Sequence, residues 1–188
     1  MATNMKQHKL GWIGIGRMGY AMAERLAKAG CDIAVWNRTR AKAEPLAKSG
    51  ARVVDGLPDL AGVDILFTMV STGKDVKEVL FGASGVLSKG GKPKIVVDST
   101  SISLEESAEI RAKLAEKGIQ FLSAPVSGNA KVIKAGKLTV VASGPKAAFD
   151  AVAPYLLAIG RGVSYVGDGE LSRIAKICHN VMLGVVIQ

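Results

Sequence analysis

Residues 11–19 read Gly-Trp-Ile-Gly-Ile-Gly-Arg-Met-Gly, an apolar run that breaks into Gly14-x-Gly16-x-x-Gly19 just before a helical pattern. Few folds accommodate that spacing after a strand. The first glycine permits a tight strand-to-helix turn, the second lets an anion approach the backbone, and the third lets helix and strand pack closely. Unpaired N–H groups at the start of the helix then face a phosphate. Without a ligand the glycines would make only a tight turn, so the next strand matters. It runs from Asp32 to Trp36 and ends in Asn37-Arg38-Thr39, where a dinucleotide-binding unit usually places an acid on the ribose 2′-hydroxyl. An arginine there suits a 2′-phosphate, so the expected cofactor is NADP, with NAD the poorer fit. The expected contacts are Gly14, Ile15, Gly16, Arg17, Met18, Gly19, Asn37, Arg38 and Thr39.

Short apolar runs alternate with helical patterns along the chain, which predicts an α/β fold: a Rossmann-type, doubly wound, mostly parallel sheet covered by helices. The expected strands are Lys9 to Ile15, Asp32 to Trp36, Arg52 to Val54, Ile65 to Val70, Ile95 to Asp98, Gln120 to Ser123, Leu138 to Ala142 and Val163 to Val166. Between them Met18 to Lys28, Ala41 to Lys48, Lys74 to Leu80, Leu104 to Lys117 and Lys146 to Ala158 read as helices, several closed by a glycine. This gives a dinucleotide-binding domain over residues 1–168.

Residues 169–188 break the pattern and read as the start of a long interdomain helix. Ile174, Ile177, Cys178, Val181 and Val185 make one stripe, while Leu183, Val186 and Ile187 fall outside it. No C-cap glycine or basic last turn closes it. A helix apolar on several sides needs more cover than one sheet face gives. The expectation is a further domain or a second subunit of a homo-oligomer, and a chain that forms the front part of a longer protein.

With 188 residues, 48% hydrophobic and 22% charged, the chain can bury a full core. Its polar first residues lead straight into a strand, with no signal-peptide core and no convincing membrane span, so a soluble, cytoplasmic protein is expected. Cys31 and Cys178 stand far apart in strand and helix settings, which suits two reduced thiols better than a disulfide or a metal site. The net charge of +9 is scattered over helix faces and loops without a dense basic block. That argues against nucleic acid and suits an anionic dinucleotide and a carboxylate substrate.

Ligands of such folds sit at the carboxyl ends of the strands. Three further loops should meet there. Met69-Val70-Ser71 offers backbone groups to the cofactor ribose, although a plain strand-to-helix loop would look alike. In Asp98-Ser99-Thr100-Ser101 the hydroxyls of Ser99 and Thr100 are candidates for cofactor or substrate, whereas Ser103 with Glu106 reads as a capping box. In the third, Ser127, Gly128 and Asn129 supply donors suited to a carboxylate. Lys131, Lys134 and Lys137 follow and read as solvated. In the final helix Lys176 and Asn180 lie four apart on one face with His179 beside them. A lysine inside an apolar helix either snorkels or is used, and partial desolvation would lower its pKa toward proton-transfer range.

Four ordered motifs, Gly-Ile-Gly-Arg-Met-Gly at 14–19, Asp-Ser-Thr at 98–100, Ala-Pro-Val-Ser-Gly at 124–128 and Lys-Ile-Cys-His-Asn at 176–180, resemble those of the β-hydroxyacid dehydrogenase family. The resemblance implies reversible hydride transfer between NAD(P) and a small β-hydroxy acid or semialdehyde. It implies Lys176 as general acid/base, Asn180 as the residue that orients the substrate, and Ser127, Gly128 and Thr100 on its carboxylate. The Asn-Arg-Thr ending of the second strand is similar to the NADP-using members. His179 departs from the usual asparagine and instead resembles 6-phosphogluconate dehydrogenase, a relative. That enzyme's Gly-Gly-Glu-Glu stretch and its later glutamate are replaced here by Gly128-Asn129-Ala130-Lys131 and Val181-Met182-Leu183. Family members continue into an all-helical domain that these residues do not supply. The alternatives are a sugar-phosphate enzyme of that related kind and a non-catalytic dinucleotide-binding or interaction module.

Overall fold

The computed structural model describes residues 5–186. Strands β1 (Leu10–Ile13), β2 (Ile33–Trp36), β3 (Arg52–Val53), β4 (Ile65–Thr68), β5 (Ile95–Asp98) and β6 (Gln120–Ser123) pair in the order β3-β2-β1-β4-β5-β6. Every pairing in this sheet is parallel. Helices α1 (Arg17–Lys28), α2 (Gly73–Phe81) and α3 (Leu104–Ala115) follow β1, β4 and β5. The short α4 (Ala130–Lys134), α5 (Lys146–Ile159) and α6 (Leu171–Val186) come later in the chain.

Side chains alternate along each strand, and the sheet is apolar on both faces. Trp12, Val35, Phe67, Val97 and Leu122 pack with α1 and α5 through Met22, Leu26, Val152 and Leu156. Ile13, Ala34, Leu66, Val96 and Phe121 point the other way, to Val76 and Leu80 of α2 and Ile110 and Leu114 of α3. Each layer buries the stripe that the other cannot reach, which is the doubly wound arrangement. Capping fixes where two of the helices begin. Thr72 and Ser103 accept the N–H of Asp75 and Glu106 at 3.1 Å, and each acid returns to the cap's own N–H.

Several elements differ from the sequence reading. The helix expected over Ala41 to Lys48 is instead two 3₁₀ turns, Arg40–Lys42 and Glu44–Ser49. Pro45 lacks the N–H that a continuous helix through both segments would need. A further 3₁₀ turn, Leu57–Leu60, was not anticipated and also carries a proline, Pro58. Thr139–Ala142 (β8) and Gly162–Tyr165 (β9) are strands near their expected positions, but they form a separate small sheet with β7 (Val126–Ser127). There β7 is antiparallel to β8, and one antiparallel bridge, Ser123 to Ser143, joins the end of β6 to the residue after β8. The segment read as a loop after β6 therefore contains β7, and α4 follows it directly. Helix α6 is followed to Val186, and Ile187 lies outside the described residues.

Candidate active site

Between β1 and β4 the strand order reverses, and the crevice outside their carboxyl ends is open. Gly14 enters it with φ +98°, where a Cβ would lie 2.1 Å from the Met69 carbonyl oxygen. On Gly19 a Cβ would lie 1.9 Å from the carbonyl oxygen of Gly14. These two glycines let backbone meet backbone. Gly16 is different, because a Cβ there meets nothing within 4 Å. It therefore leaves room over the start of α1 for a ligand's anion, and no acid in the first turn of α1 opposes that charge. Trp12 Nε1 donates to the Gly14 carbonyl at 3.1 Å and Gly14 N–H donates to the Trp36 carbonyl at 3.1 Å, which pins the loop.

The end of β2 forms the next wall. Asn37 Oδ1 accepts Ile15 N–H at 2.9 Å, and its Nδ2 donates to the Thr39 carbonyl at 2.9 Å. The Ile15 N–H is thereby satisfied by protein, while Arg17 and Met18 line the cleft. Arg38 and Thr39 are exposed on the cleft wall. Among the described residues Arg38 has no carboxylate partner, whereas Arg40, two residues on, is held by Asp55 at 2.5 Å and Glu44 at 3.5 Å. Of these two neighbouring arginines, Arg38 is the one left available to a ligand.

Met69, Val70 and Ser71 close the far side of a cleft of about 600 Å³, a volume suited to a cofactor. Sequence reasoning missed Trp36, Lys42, Leu57, Asp75, Glu78, Val79 and Ala130, which also line it. Lys42 lies on the turn after Arg38, and Asp75 is the acid that completes the capping box of Thr72 at the start of α2, so turn and capping chemistry were the available signals.

The remaining residues sit deeper or further along. Ser99 is buried and its hydroxyl donates to the Ala124 carbonyl at 2.8 Å, so it ties β5 to the residue after β6 rather than lining the cleft. Thr100 is also buried; its Oγ1 accepts Val70 N–H at 3.1 Å and so holds the cofactor-side loop from beneath. Ser127 lies half-buried in β7, and Gly128 follows with φ +138°. Asn129, expected beside them on the substrate, lines the dinucleotide cleft instead. Its Oδ1 caps α4 by accepting Lys131 N–H at 3.0 Å and Val132 N–H at 3.1 Å. Lys176 is half-buried on α6, and desolvation holds its ammonium below the ordinary lysine range. Asn180 and His179 are exposed one turn on.

Arg173, one turn before Lys176, was missed altogether. It is 3% exposed and meets Asp98 Oδ2 at 2.6 Å. The only signal for it was a cation among apolar residues at the start of a helix. Beyond it α6 is bare, with Val185 72% and Val186 80% exposed. Both cysteines are free, Cys31 buried and Cys178 exposed. Among the described residues no group of three or more His, Cys, Asp or Glu could hold a metal ion, and no helix is long and apolar enough to cross a membrane.

Comparison with known proteins agrees with this geometry. Residues 9–167 match the NAD binding domain of 6-phosphogluconate dehydrogenase. The chain is 34% identical over 180 residues to 2-(hydroxymethyl)glutarate dehydrogenase of Eubacterium barkeri, covering 95% of this chain and 60% of that protein. The Mycobacterium tuberculosis 3-hydroxyisobutyrate dehydrogenase structure with L-serine superposes with a TM-score of 0.87 at 27% identity, covering 95% of this chain and 60% of that one. An imine reductase from Myxococcus stipitatus in complex with NADP+ gives 0.84 at 29% identity, covering 95% and 62%. This chain thus spans about three-fifths of the length of each of these relatives. With its glycine cradle, strand order and matched residues 9–167, the chain belongs to the β-hydroxyacid dehydrogenase family and contains its NAD(P)-binding domain.

Proposed function

We propose that the protein is an NADP-dependent oxidoreductase acting on a small β-hydroxy acid or its semialdehyde, with NADP favoured over NAD. Residues 1–168 form the cofactor domain and residues 169–188 begin an interdomain helix, whose bare apolar surface is covered by a further domain or a second subunit. A cytoplasmic location goes with this reading. The observation that carries it is the pairing of an open glycine cradle, beside an Arg38 with no carboxylate partner among the described residues, with a half-buried, desolvated lysine on α6. Gly14 to Gly19 and the start of α1 would hold the pyrophosphate, Arg38 with Lys42 and Thr39 the 2′-phosphate, and Met69, Val70 and Ser71 the nicotinamide-side ribose. Bound there, the dinucleotide supplies or accepts the hydride.

The protein's own part is the proton and the position. Lys176, held below its ordinary pKa by desolvation, gives a proton to the carbonyl oxygen in the reductive direction and takes the hydroxyl proton in the other. Asn180, four residues on along the same face, orients the substrate. Ser127 and Gly128 receive its carboxylate, while Asn129 caps α4 on the cofactor side and Thr100 supports the loop between cofactor and substrate. That fixed carboxylate is what turns a collision into an aligned encounter.

The test is Lys176→Ala in the full-length protein, assayed with NADPH and short semialdehydes. The expected loss in kcat is about 10²-fold or more, with the NADPH Kd within about twofold of wild type. Turnover close to wild type would overturn the lysine's role.

A further inference from the structure

Each of the three nitrogens of the Arg173 guanidinium makes a hydrogen bond. Its Nη2 meets Asp98 Oδ2 at 2.6 Å, its Nη1 donates to the Thr100 carbonyl at 2.7 Å, and its Nε donates to Ser107 Oγ at 2.7 Å. Asp98 is fully buried at the end of β5, and its other oxygen accepts Thr68 Oγ1 at 2.7 Å and Thr100 N–H at 3.2 Å. Glu170, just before α6, bonds Ser107 and pairs with Arg111 of α3 at 2.8 Å, and lies 3.7 Å from Arg173. One side chain therefore joins α6 to the end of β5, the loop after it, and α3.

Stability alone does not account for such a group. A buried ion pair recovers little more than its desolvation cost, and well-packed apolar residues often serve a core as well or better. What a planar fork with three fixed acceptors supplies is direction. From Arg173 the contacts run through Thr100, whose hydroxyl holds Val70 N–H, into the wall of the dinucleotide cleft. In the other direction Lys176 lies three residues along α6, about 4.5 Å further along the axis and on a neighbouring face. We propose that Arg173 is a positioning residue: by gripping Asp98 and the Thr100 carbonyl it sets α6, and with it Lys176, at a fixed place relative to the Val70 wall of the cleft. The proposal rests on the reading of Lys176 as the proton donor.

Its test reads the lysine directly in the full-length protein. Lysines are dimethylated with ¹³C-formaldehyde, Lys176 is assigned by the signal lost in Lys176→Arg, and its titration is followed by NMR. Arg173→Lys keeps the charge but not the fork, and Ser107→Ala removes one acceptor of the fork together with that hydroxyl's bond to Glu170 while leaving Arg173 in place, so it decides the matter if Arg173→Lys does not fold. In both, the Lys176 midpoint is expected to move back toward the ordinary lysine value by about half a unit or more, roughly threefold in its ionisation equilibrium. A lower melting temperature with the Lys176 midpoint unchanged would mean that Arg173 only stabilises, and would overturn the proposal. The acid/base reading fails separately, through normal turnover in Lys176→Ala.

Discussion

Asn37 accepts the N–H of Ile15 at 2.9 Å and, through the other end of the same amide, donates to the Thr39 carbonyl at 2.9 Å. One side chain thus ties the glycine loop to the end of β2, the two walls assigned in the proposed function to the pyrophosphate and the 2′-phosphate. Asn37→Ala leaves the Ile15 N–H without its partner, an expected cost of about 1–3 kcal/mol in chemical denaturation, with weaker binding of both NADPH and NADH. Asn37→Asp keeps the acceptor but sets a carboxylate beside Arg38. Isothermal titration should then show a larger loss for NADPH than for NADH, and equal losses would argue against a 2′-phosphate at this wall.

The three glycines of the cradle predict two different failures. In Gly19→Ala the new methyl meets the Gly14 backbone at 1.9 Å, and neither α1 nor the loop can give way cheaply. The protein is expected to lose stability by at least about 1–3 kcal/mol, read as a fall in melting temperature without ligand. In Gly16→Ala the methyl meets nothing within 4 Å. That variant should melt like the wild type yet bind NADPH at least about tenfold more weakly, because the methyl takes the space of the anion. A stable Gly16→Ala with unchanged affinity would remove the pyrophosphate from this loop.

How much of this could be read from the sequence follows from which signals are local. Alternating apolar runs, capping pairs such as Ser103 with Glu106, and the glycine spacing are all set within a few residues, and the six parallel strands and their helices appear where those signals stand. Pro45 is a local signal against the helix expected over Ala41 to Lys48, and that segment forms 3₁₀ turns. Strands β7, β8 and β9 show the limit on sheets: β8 and β9 have strand patterns, but nothing local says that they leave the main sheet. The site divides in the same way. Arg38 stood out by position, whereas its availability depends on Asp55 and Glu44 holding Arg40 instead. Arg173 and Asp98 are 75 residues apart in sequence, so nothing short of the fold pairs them.

That division of labour between neighbouring arginines gives a controlled experiment on cofactor choice. Arg38→Ala should weaken NADPH by about 1.5–3 kcal/mol, roughly 10- to 100-fold, the worth of a charge-assisted contact. NADH, lacking the phosphate, should change by no more than about twofold. Arg40→Ala is the internal comparison, since that side chain is occupied by surface carboxylates. Equal sensitivity of NADPH to both variants would point to general charge rather than to a specific contact at Arg38.

The last prediction concerns alkaline stability and a group far from the chemistry. Cys31, just before β2, is only 5% exposed, and burial pushes its thiol from 9.0 up to about 11. The folded state therefore holds the proton more tightly than the unfolded chain. The stability this contributes is complete below pH 9, falls as the unfolded thiol ionises, and is lost by about pH 11. Over the full interval the change is about 2–3 kcal/mol, of which about 1 kcal/mol falls between pH 8 and pH 10. Tyr155, also raised by burial, adds a loss in the same direction at higher pH. Cys31→Ala keeps the tyrosine and removes the thiol, so urea unfolding at pH 8 and pH 10 isolates the cysteine. Wild type should lose about 1 kcal/mol more than the variant across that interval, and identical losses would mean that the thiol ionises as easily in the fold as out of it.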